Sequence, residues 1–135
     1  MPLLVWDAKY SVGVTAMDAQ HTVLFEILNQ LYDAMTARQD RAVLGDLLTR
    51  LSNFAHQHFA EEEQMMAAAQ YPELEPHRVL HRDLLEKVED FKLRLNRKEL
   101  TISLHLLNFL RDCLTRHIQQ VDHNYSAWMN ERGIV

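Results

Sequence analysis

Cysteine, glycine and proline are all scarce in this chain of 135 residues, and each scarcity excludes a class of structure. The one cysteine, Cys113, cannot form an internal disulfide, so the fold must depend on a packed core. Three glycines and three prolines are too few for a turn-rich sheet protein, whereas the good helix formers Leu, Ala, Glu and Gln are plentiful. We therefore expect an all-α fold.

The chain also lacks an excess of basic residues and a long apolar run. Its net charge of -5 disfavours nucleic acid as a partner, because phosphate backbones require a basic face. The first residues show neither a basic leader nor a stretch long enough to span a membrane, so we expect a cytoplasmic protein. The length fits one domain over residues 1–135.

Apolar residues recur with the spacing of amphipathic helices in four stretches. The first is predicted to start with Asp18 as its N-cap, and the fourth to resume at Ile102 after a polar break at residues 96–98. The inward positions of the third and fourth helices are predicted to include Leu80 and Phe109. Short connections favour an antiparallel up-down-up-down four-helix bundle from about residue 18 to 121. An extended N-terminal arm, residues 1–17, is expected to be anchored by Trp6 and Tyr10, and a short C-terminal tail follows the bundle.

Each apolar stripe also contains side chains that do not belong in a hydrocarbon core. These are His21, His58, Glu62, His77, His81 and His117. His58 with Glu62, and His77 with His81, are four residues apart and so lie only about 40° apart around a helix. In an antiparallel bundle the chain order brings all six groups to the same end.

A single histidine on an apolar stripe is ordinarily a core residue with one hydrogen bond, but five together with a carboxylate require another explanation. Burying Glu62 unpaired would be costly, and a metal would supply the missing countercharge. The other histidines, His56, His105 and His123, fall off the inward stripes. The run of residues 61–63 is interpreted as a solvated face on which only Glu62 turns inward.

Asp122 is a seventh candidate ligand. It lies five residues beyond His117, a rotation of roughly 140°, and reaches the same centre only if the fourth helix ends or distorts just after His117. Seven ligands exceed the four of a tetrahedral zinc site and imply two metals. Imidazoles with two carboxylates suit iron, with zinc or manganese as the second choice. No Glu-x-x-His motif of the ferritin-like di-iron proteins is present.

Four motifs together resemble those of the hemerythrin family, and in particular its single-domain bacteriohemerythrins. They are Asp18-Ala-Gln-His21, His58-Phe-Ala-Glu-Glu62, His77-Arg-Val-Leu-His81 and His117-Ile-Gln-Gln-Val-Asp122. The resemblance spans nearly the whole chain and is specific. It also accounts for Asp122, because hemerythrins use an aspartate at this offset as a bridging ligand.

The resemblance implies two iron ions in the Fe²⁺ or Fe³⁺ state. His77, His81 and His117 would bind one iron and His21 and His58 the other. Glu62, Asp122 and an oxo or hydroxo group would bridge the two. The iron with fewer ligands would keep an open position for reversible dioxygen binding. The expected wall of the oxygen pocket consists of Leu24, Phe25, Leu28, Phe59 and Leu114.

The expected function is that of an oxygen carrier, in storage or delivery, and not of an enzyme. Dioxygen is the expected partner, and the sequence does not identify a protein that receives it. One alternative is a di-iron oxidase, peroxidase or nitric oxide reductase that works from the same ligands. Another is an oxygen or iron sensor domain, and a metal-free structural bundle comes last.

Overall fold

The computed structural model describes residues 2–96 and 104–135, and four long helices dominate it. These are α1 (Thr15–Thr36), α2 (Arg41–Ala68), α3 (Leu74–Asn96) and α4 (Leu104–Arg116), and a short α5 (Ser126–Glu131) follows near the C-terminus. The predicted residues Arg97, Lys98 and Ile102, where the third helix was expected to end and the fourth to begin, lie outside the described part of the chain.

The four long helices form a bundle, as predicted. Helix α2 packs against α1 on one side and α3 on the other, while α4 contacts α1 and α3 and closes the bundle. The core is filled mostly by leucine and other aliphatic side chains. Its least accessible members include Leu24, Ile27, Leu28, Leu31, Leu48, Leu51 and Leu107. Burial of this apolar surface is the main favourable contribution to folding.

The first helix begins at Thr15, so the prediction of Asp18 as its N-cap was wrong. Val14 occupies the N-cap position and offers no side-chain hydrogen bond. The carboxylate of Asp18 instead turns back to the arm, where it accepts hydrogen bonds from the backbone N–H of Val12 at 2.8 Å and from the Ser11 hydroxyl at 2.6 Å. Asp18 therefore fastens the arm to the first turn of α1.

Two residues predicted to face inward are exposed. Leu80 on α3 has 41% of its surface accessible, and Phe109 on α4 has 53%. The buried face of α3 runs through His77, His81 and Leu84, and Leu80 is rotated about 60° away from the middle of that face. On α4 the inward positions are Leu107, Leu110 and Leu114, and Phe109 points away from them.

The N-terminal arm crosses the bundle and is anchored by aromatic rings, as predicted. It is irregular apart from a 3₁₀ turn at Ala8–Tyr10. The rings of Trp6 and Tyr10 lie 5.4 and 4.8 Å from the ring of Phe25, with Tyr10 meeting it edge-on. Such tilted and edge-on contacts between buried rings are favourable beyond their area.

The C-terminal tail adds helical turns that close the end of the bundle. In α5 the indole N–H of Trp128 donates to the Ala69 carbonyl at 2.8 Å, and the guanidinium of Arg132 lies 3.3 Å above the Trp128 ring. The tail is thereby attached to the end of α2. Among the helices of the described residues, none combines the length and the apolar character that crossing a membrane requires.

Gly13 should be the most sensitive glycine in the chain. Its φ is +73°, and a Cβ placed there would lie 2.5 Å from the Ser126 hydroxyl oxygen. Gly133 has a similar φ of +78° but open space around it. We expect Gly133→Ala to lower the free energy of unfolding by about 1 kcal/mol from backbone strain alone. Gly13→Ala adds a steric conflict and should cost about 2–3 kcal/mol. Urea unfolding of both variants checks this, and equal losses would contradict it.

Candidate metal centre

Seven side chains from α1, α2, α3 and the segment that follows α4 meet inside one end of the bundle. None of them is more than 6% exposed. Their ligand atoms form two groups, within each of which all atoms lie within 4.8 Å of one another. One group contains Glu62, His77, His81, His117 and Asp122, and the other contains His21, His58, Glu62 and Asp122. The two carboxylates belong to both groups.

The antiparallel arrangement of the helices places these residues at one height. His21 lies in the second turn of α1, and His58 and Glu62 lie in the last third of α2. His77 and His81 occupy the first two turns of α3, while His117 directly follows α4. The structure thus brings together all seven residues that the sequence singled out.

The position of Asp122 depends on a change in helix type. Residues His117–Val121 form a π-helical turn, and the backbone N–H of Asp122 bonds to the His117 carbonyl five residues earlier. In such a turn a residue comes nearly above the one five positions before it, here Asp122 above His117. In an α-helix the two would be rotated by roughly 140° from each other. The distortion that the sequence required after His117 is therefore present, and it brings Asp122 Oδ1 to 2.9 Å from His117 Nε2.

Imidazole nitrogens and carboxylate oxygens approach one another closely throughout the site. The Nε2 atoms of His21 and His58 are 3.1 Å apart, within hydrogen-bond distance of each other. His21 Nε2 also lies 3.2 Å from Asp122 Oδ2, and His77 Nε2 lies 2.8 Å from Asp122 Oδ1. The carboxylates are inserted between the rings and separate the two groups of donors.

Several of these buried atoms nevertheless lack a hydrogen bond of acceptable geometry. Nε2 of His77, Nε2 of His117 and both carboxylate oxygens of Asp122 are buried without one. Leaving such atoms unsatisfied is costly, and native proteins rarely do so. Here the atoms point towards shared centres and not at each other. The donor set therefore fits metal ions, which would satisfy all of these atoms at once.

The electrostatics of the site show how strongly it requires positive charge. Burial alone would lower the pKa of His21 and of His77, but contacts with Asp122 and Glu62 outweigh it and raise both pKa values to about 9. His58 differs, because burial prevails there and lowers its pKa to about 4. Without metal, protons on His21 and His77 take the place of the missing cations.

Tyr125 holds one of the two shared carboxylates and was missed by the sequence analysis. Its hydroxyl donates to Glu62 Oε2 at 2.9 Å, and the side chain is completely buried. Burial and the nearby carboxylates raise the pKa of Tyr125 far above its ordinary value, so the hydroxyl stays a donor at any working pH. Nothing in the sequence marks Tyr125 except its place three residues beyond Asp122.

Two ligand imidazoles are oriented by side chains on their outer sides. Gln20 Oε1 accepts from His58 Nδ1 at 2.6 Å, and Gln20 is itself held by Glu61 at 2.5 Å. Glu63 Oε2 accepts from His81 Nδ1 at 2.8 Å. Such partners fix which ring nitrogen faces the metal. Of residues 61–63 only Glu62 is buried, as predicted, while Glu61 and Glu63 are half-buried and support ligands from the outside.

The side chains expected to line the oxygen pocket are all buried, but two of them contact unexpected partners. Phe59 stacks on the His81 ring with centroids 4.1 Å apart, and Phe25 packs against the aromatic rings of the arm. The three leucines of the set, Leu24, Leu28 and Leu114, belong to the hydrophobic core. The histidines excluded from the site, His56, His105 and His123, are exposed, as expected.

Comparison with known proteins agrees with this geometry. The family model described as the hemerythrin HHE cation binding domain matches residues 12–129, which include every residue of the centre. The chain belongs to the hemerythrin family. Hemerythrins hold a di-iron centre, and the two donor groups with their shared carboxylates fit one iron each.

Relatives and solved structures extend the match over most of the chain. A bacteriohemerythrin of Stenotrophomonas maltophilia is 34% identical over 126 residues, covering 93% of this chain and 81% of the relative. A bacteriohemerythrin of Methylococcus capsulatus is 29% identical and is covered over 99% of its length. A crystal structure of wild-type hemerythrin superposes with a TM-score of 0.88 at 28% identity, covering 94% of this chain and 98% of that one.

The stability of the iron-free protein should be greatest near pH 6.5. His21 and His77 bind protons more tightly when folded, so their contribution is complete below their unfolded pKa of about 6.5 and is lost as pH rises through 9. His58 binds its proton less tightly when folded, so stability also falls between pH 6.5 and 4.

Iron should remove the alkaline loss, because metal-bound imidazoles carry no exchangeable proton at Nε2. Urea midpoints measured between pH 5 and 9, with and without iron, test this. An iron-free protein equally stable at pH 7 and pH 9 would contradict the proton uptake assigned to His21 and His77.

Proposed function

We propose that this chain binds dioxygen reversibly at a di-iron centre and serves in oxygen storage or delivery, with residues 1–135 acting as one domain. The observation that carries the proposal is that the two donor groups contain different numbers of imidazoles. Both contain Glu62 and Asp122, but one adds three imidazoles and the other only two. A metal held by the smaller group has one protein ligand fewer and so keeps a position open for a small molecule.

The proposed ligand roles follow from these groups. His77, His81 and His117 would hold one iron, and His21 and His58 the other. Glu62 and Asp122 would bridge the two, since their separate oxygens face different imidazoles: Glu62 Oε1 lies 2.9 Å from His81, and Glu62 Oε2 lies 3.6 Å from His58.

The iron pair would supply the electrons that dioxygen takes up and returns. The chain's own part is to hold the ligands still and to keep water out. The Tyr125 hydroxyl holds Glu62, Gln20 orients His58, and Glu63 orients His81. Leu24, Leu28 and Leu114 are buried in the hydrophobic core and would give the site apolar walls. Each contribution would favour release of intact dioxygen over protonation of the reduced oxygen by solvent, which would leave the iron pair oxidised.

A non-enzymatic role is part of the proposal. An oxidase, peroxidase or nitric oxide reductase would need a proton donor or acceptor beside the open position, whereas the proposed wall of the pocket contributes aliphatic and phenyl groups only. The buried hydroxyl of Tyr125 is already committed to Glu62. A reversible carrier is therefore favoured over a catalyst working from the same ligands.

Anaerobic loading with Fe²⁺ should give two irons per chain, and cycling between oxygen and argon should then change the visible spectrum reversibly. His117→Ala should lower the iron content and abolish the spectral cycle, because it removes a buried ligand. His105→Ala is the matched control, since His105 is an exposed histidine of α4, the helix that leads into His117. Steady consumption of oxygen by the loaded protein, without return of the starting spectrum, would refute reversible binding.

Leu114→Ala should accelerate autoxidation of the iron pair about tenfold or more, because water would enter next to His117, three residues away. The matched control is Leu107→Ala, which removes an equally buried leucine from the same helix, about 15 Å along the axis from His117. Both variants should lose about 2–5 kcal/mol of stability. Stopped-flow spectra provide the rates, and equal rates in the two variants would show that Leu114 does not guard the site.

A further inference from the structure

A surface cavity of about 360 Å³ lies between α3 and α4, beside the metal centre but outside it. Residues of α3 form one wall, and residues of α4 and the π-helical turn form the other. His117 reaches the cavity from the inside, and it is the most accessible of the seven ligand side chains, at 6%. We call this feature the α3–α4 groove.

Large apolar side chains line the groove and remain exposed to solvent. Leu80 of α3 and Phe109 of α4 both line it, with 41% and 53% of their surfaces accessible, and Val121 and the buried Leu84 complete the apolar part. These are the two residues that the helical period placed in the core and that the structure places outside it. Covering them would recover roughly 25 cal/mol for each Å² of apolar surface removed from water.

The charges in the groove are not balanced. Lys87 is paired with Asp83 on the same helix, so both of these lining charges are satisfied. A smaller neighbouring cavity of about 150 Å³ is lined by Arg94 and Asp90, and these two side chains are paired in the same way at 3.0 Å. Arg116 also lines the groove, and its guanidinium makes no ion pair within the described residues. One unpaired positive charge therefore lies at the end of the groove next to His117, in a chain whose net charge is -5.

A second cavity of similar size does not combine an exposed aromatic ring with an unpaired arginine in the way that the groove does. It lies along α2, has a volume of about 380 Å³ and is lined by Arg50 and Phe54. There Arg50 already donates to Gln30 at 2.7 Å, and Phe54 is half-buried. The α2 cavity thus offers no strongly exposed ring, and the guanidinium of its arginine is already hydrogen-bonded to a neighbouring side chain.

The geometry points to the α3–α4 groove as a binding site for a small aromatic carboxylate. Its rings lie between Leu80 and Phe109, and its carboxylate pairs with the guanidinium of Arg116. The occupant covers the accessible edge of His117 without entering the metal centre. The site goes beyond the proposed oxygen function and does not depend on it.

Isothermal titration of the iron-loaded protein with 2-naphthoate tests the proposal. We expect one naphthoate per chain. Arg116→Gln should weaken binding about threefold, the usual effect of an exposed ion pair. Phe109→Ala should weaken it about tenfold through lost apolar contact. The cation 2-naphthylmethylammonium has the same rings and the opposite charge, so it should bind more weakly than naphthoate to the unmodified protein and should lose this disadvantage in Arg116→Gln.

Two matched variants separate the groove from the rest of the surface. Arg50→Gln removes the cation of the α2 cavity, and Val79→Ala shortens an exposed apolar residue of α3 that does not line the groove. Both should bind naphthoate as the unmodified protein does. Iron content is measured for every variant, so that loss of metal is not mistaken for loss of the groove. Unchanged affinity in both Arg116→Gln and Phe109→Ala, or no measurable naphthoate binding at all, would overturn the proposal.

Discussion

The two buried carboxylates, Glu62 and Asp122, are the constraint on which the rest of this structure depends. Both are fully inaccessible to solvent, and both are shared by two sets of imidazoles. Neighbouring imidazoles hold the pKa of each carboxyl well below its usual range against the effect of burial, so both remain ionised inside the bundle. Two buried negative charges require compensation, and that requirement explains why five histidines point inward from three helices and the turn after α4.

The same requirement explains the irregular end of the fourth helix. A regular α-helix through residue 122 would carry the Asp122 side chain away from His117 and leave one carboxylate fewer at the centre. The π-helical turn at His117–Val121 corrects this rotation within five residues. The 3₁₀ turn that follows then brings Tyr125 back under Glu62. The two departures from α-helical geometry thus position Asp122 and Tyr125 in the site, and π-helical turns are common at functional sites.

The sequence predicts the bundle and six of the seven site residues from side-chain period and chain order, whereas only the family resemblance accounts for the seventh, Asp122. The sequence predicts burial less well where two positions one helical turn apart are equally apolar. Leu80 is as apolar as Leu84, and the packing against α4 decides that Leu84 is the buried one. Contacts between distant parts of the chain are invisible to periodicity, as with Tyr125 and Glu62. Asp18 had the right residue type for an N-cap, but the arm offered its carboxylate better donors.

The outer partners make the two sets of ligands differ in strength as well as in number. A carboxylate that accepts from an imidazole N–H raises the basicity of the ring's other nitrogen, and a neutral amide does so less. At His81 the acceptor is the carboxylate of Glu63, which also accepts from Arg78 at 3.2 Å. At His58 the acceptor is the neutral amide of Gln20. The group with three imidazoles therefore also contains the more strongly supported donor, and the group with two contains the weaker one. A metal in the smaller group would be held by fewer and less basic ligands, and it would therefore be the better electron acceptor, with room for a further ligand.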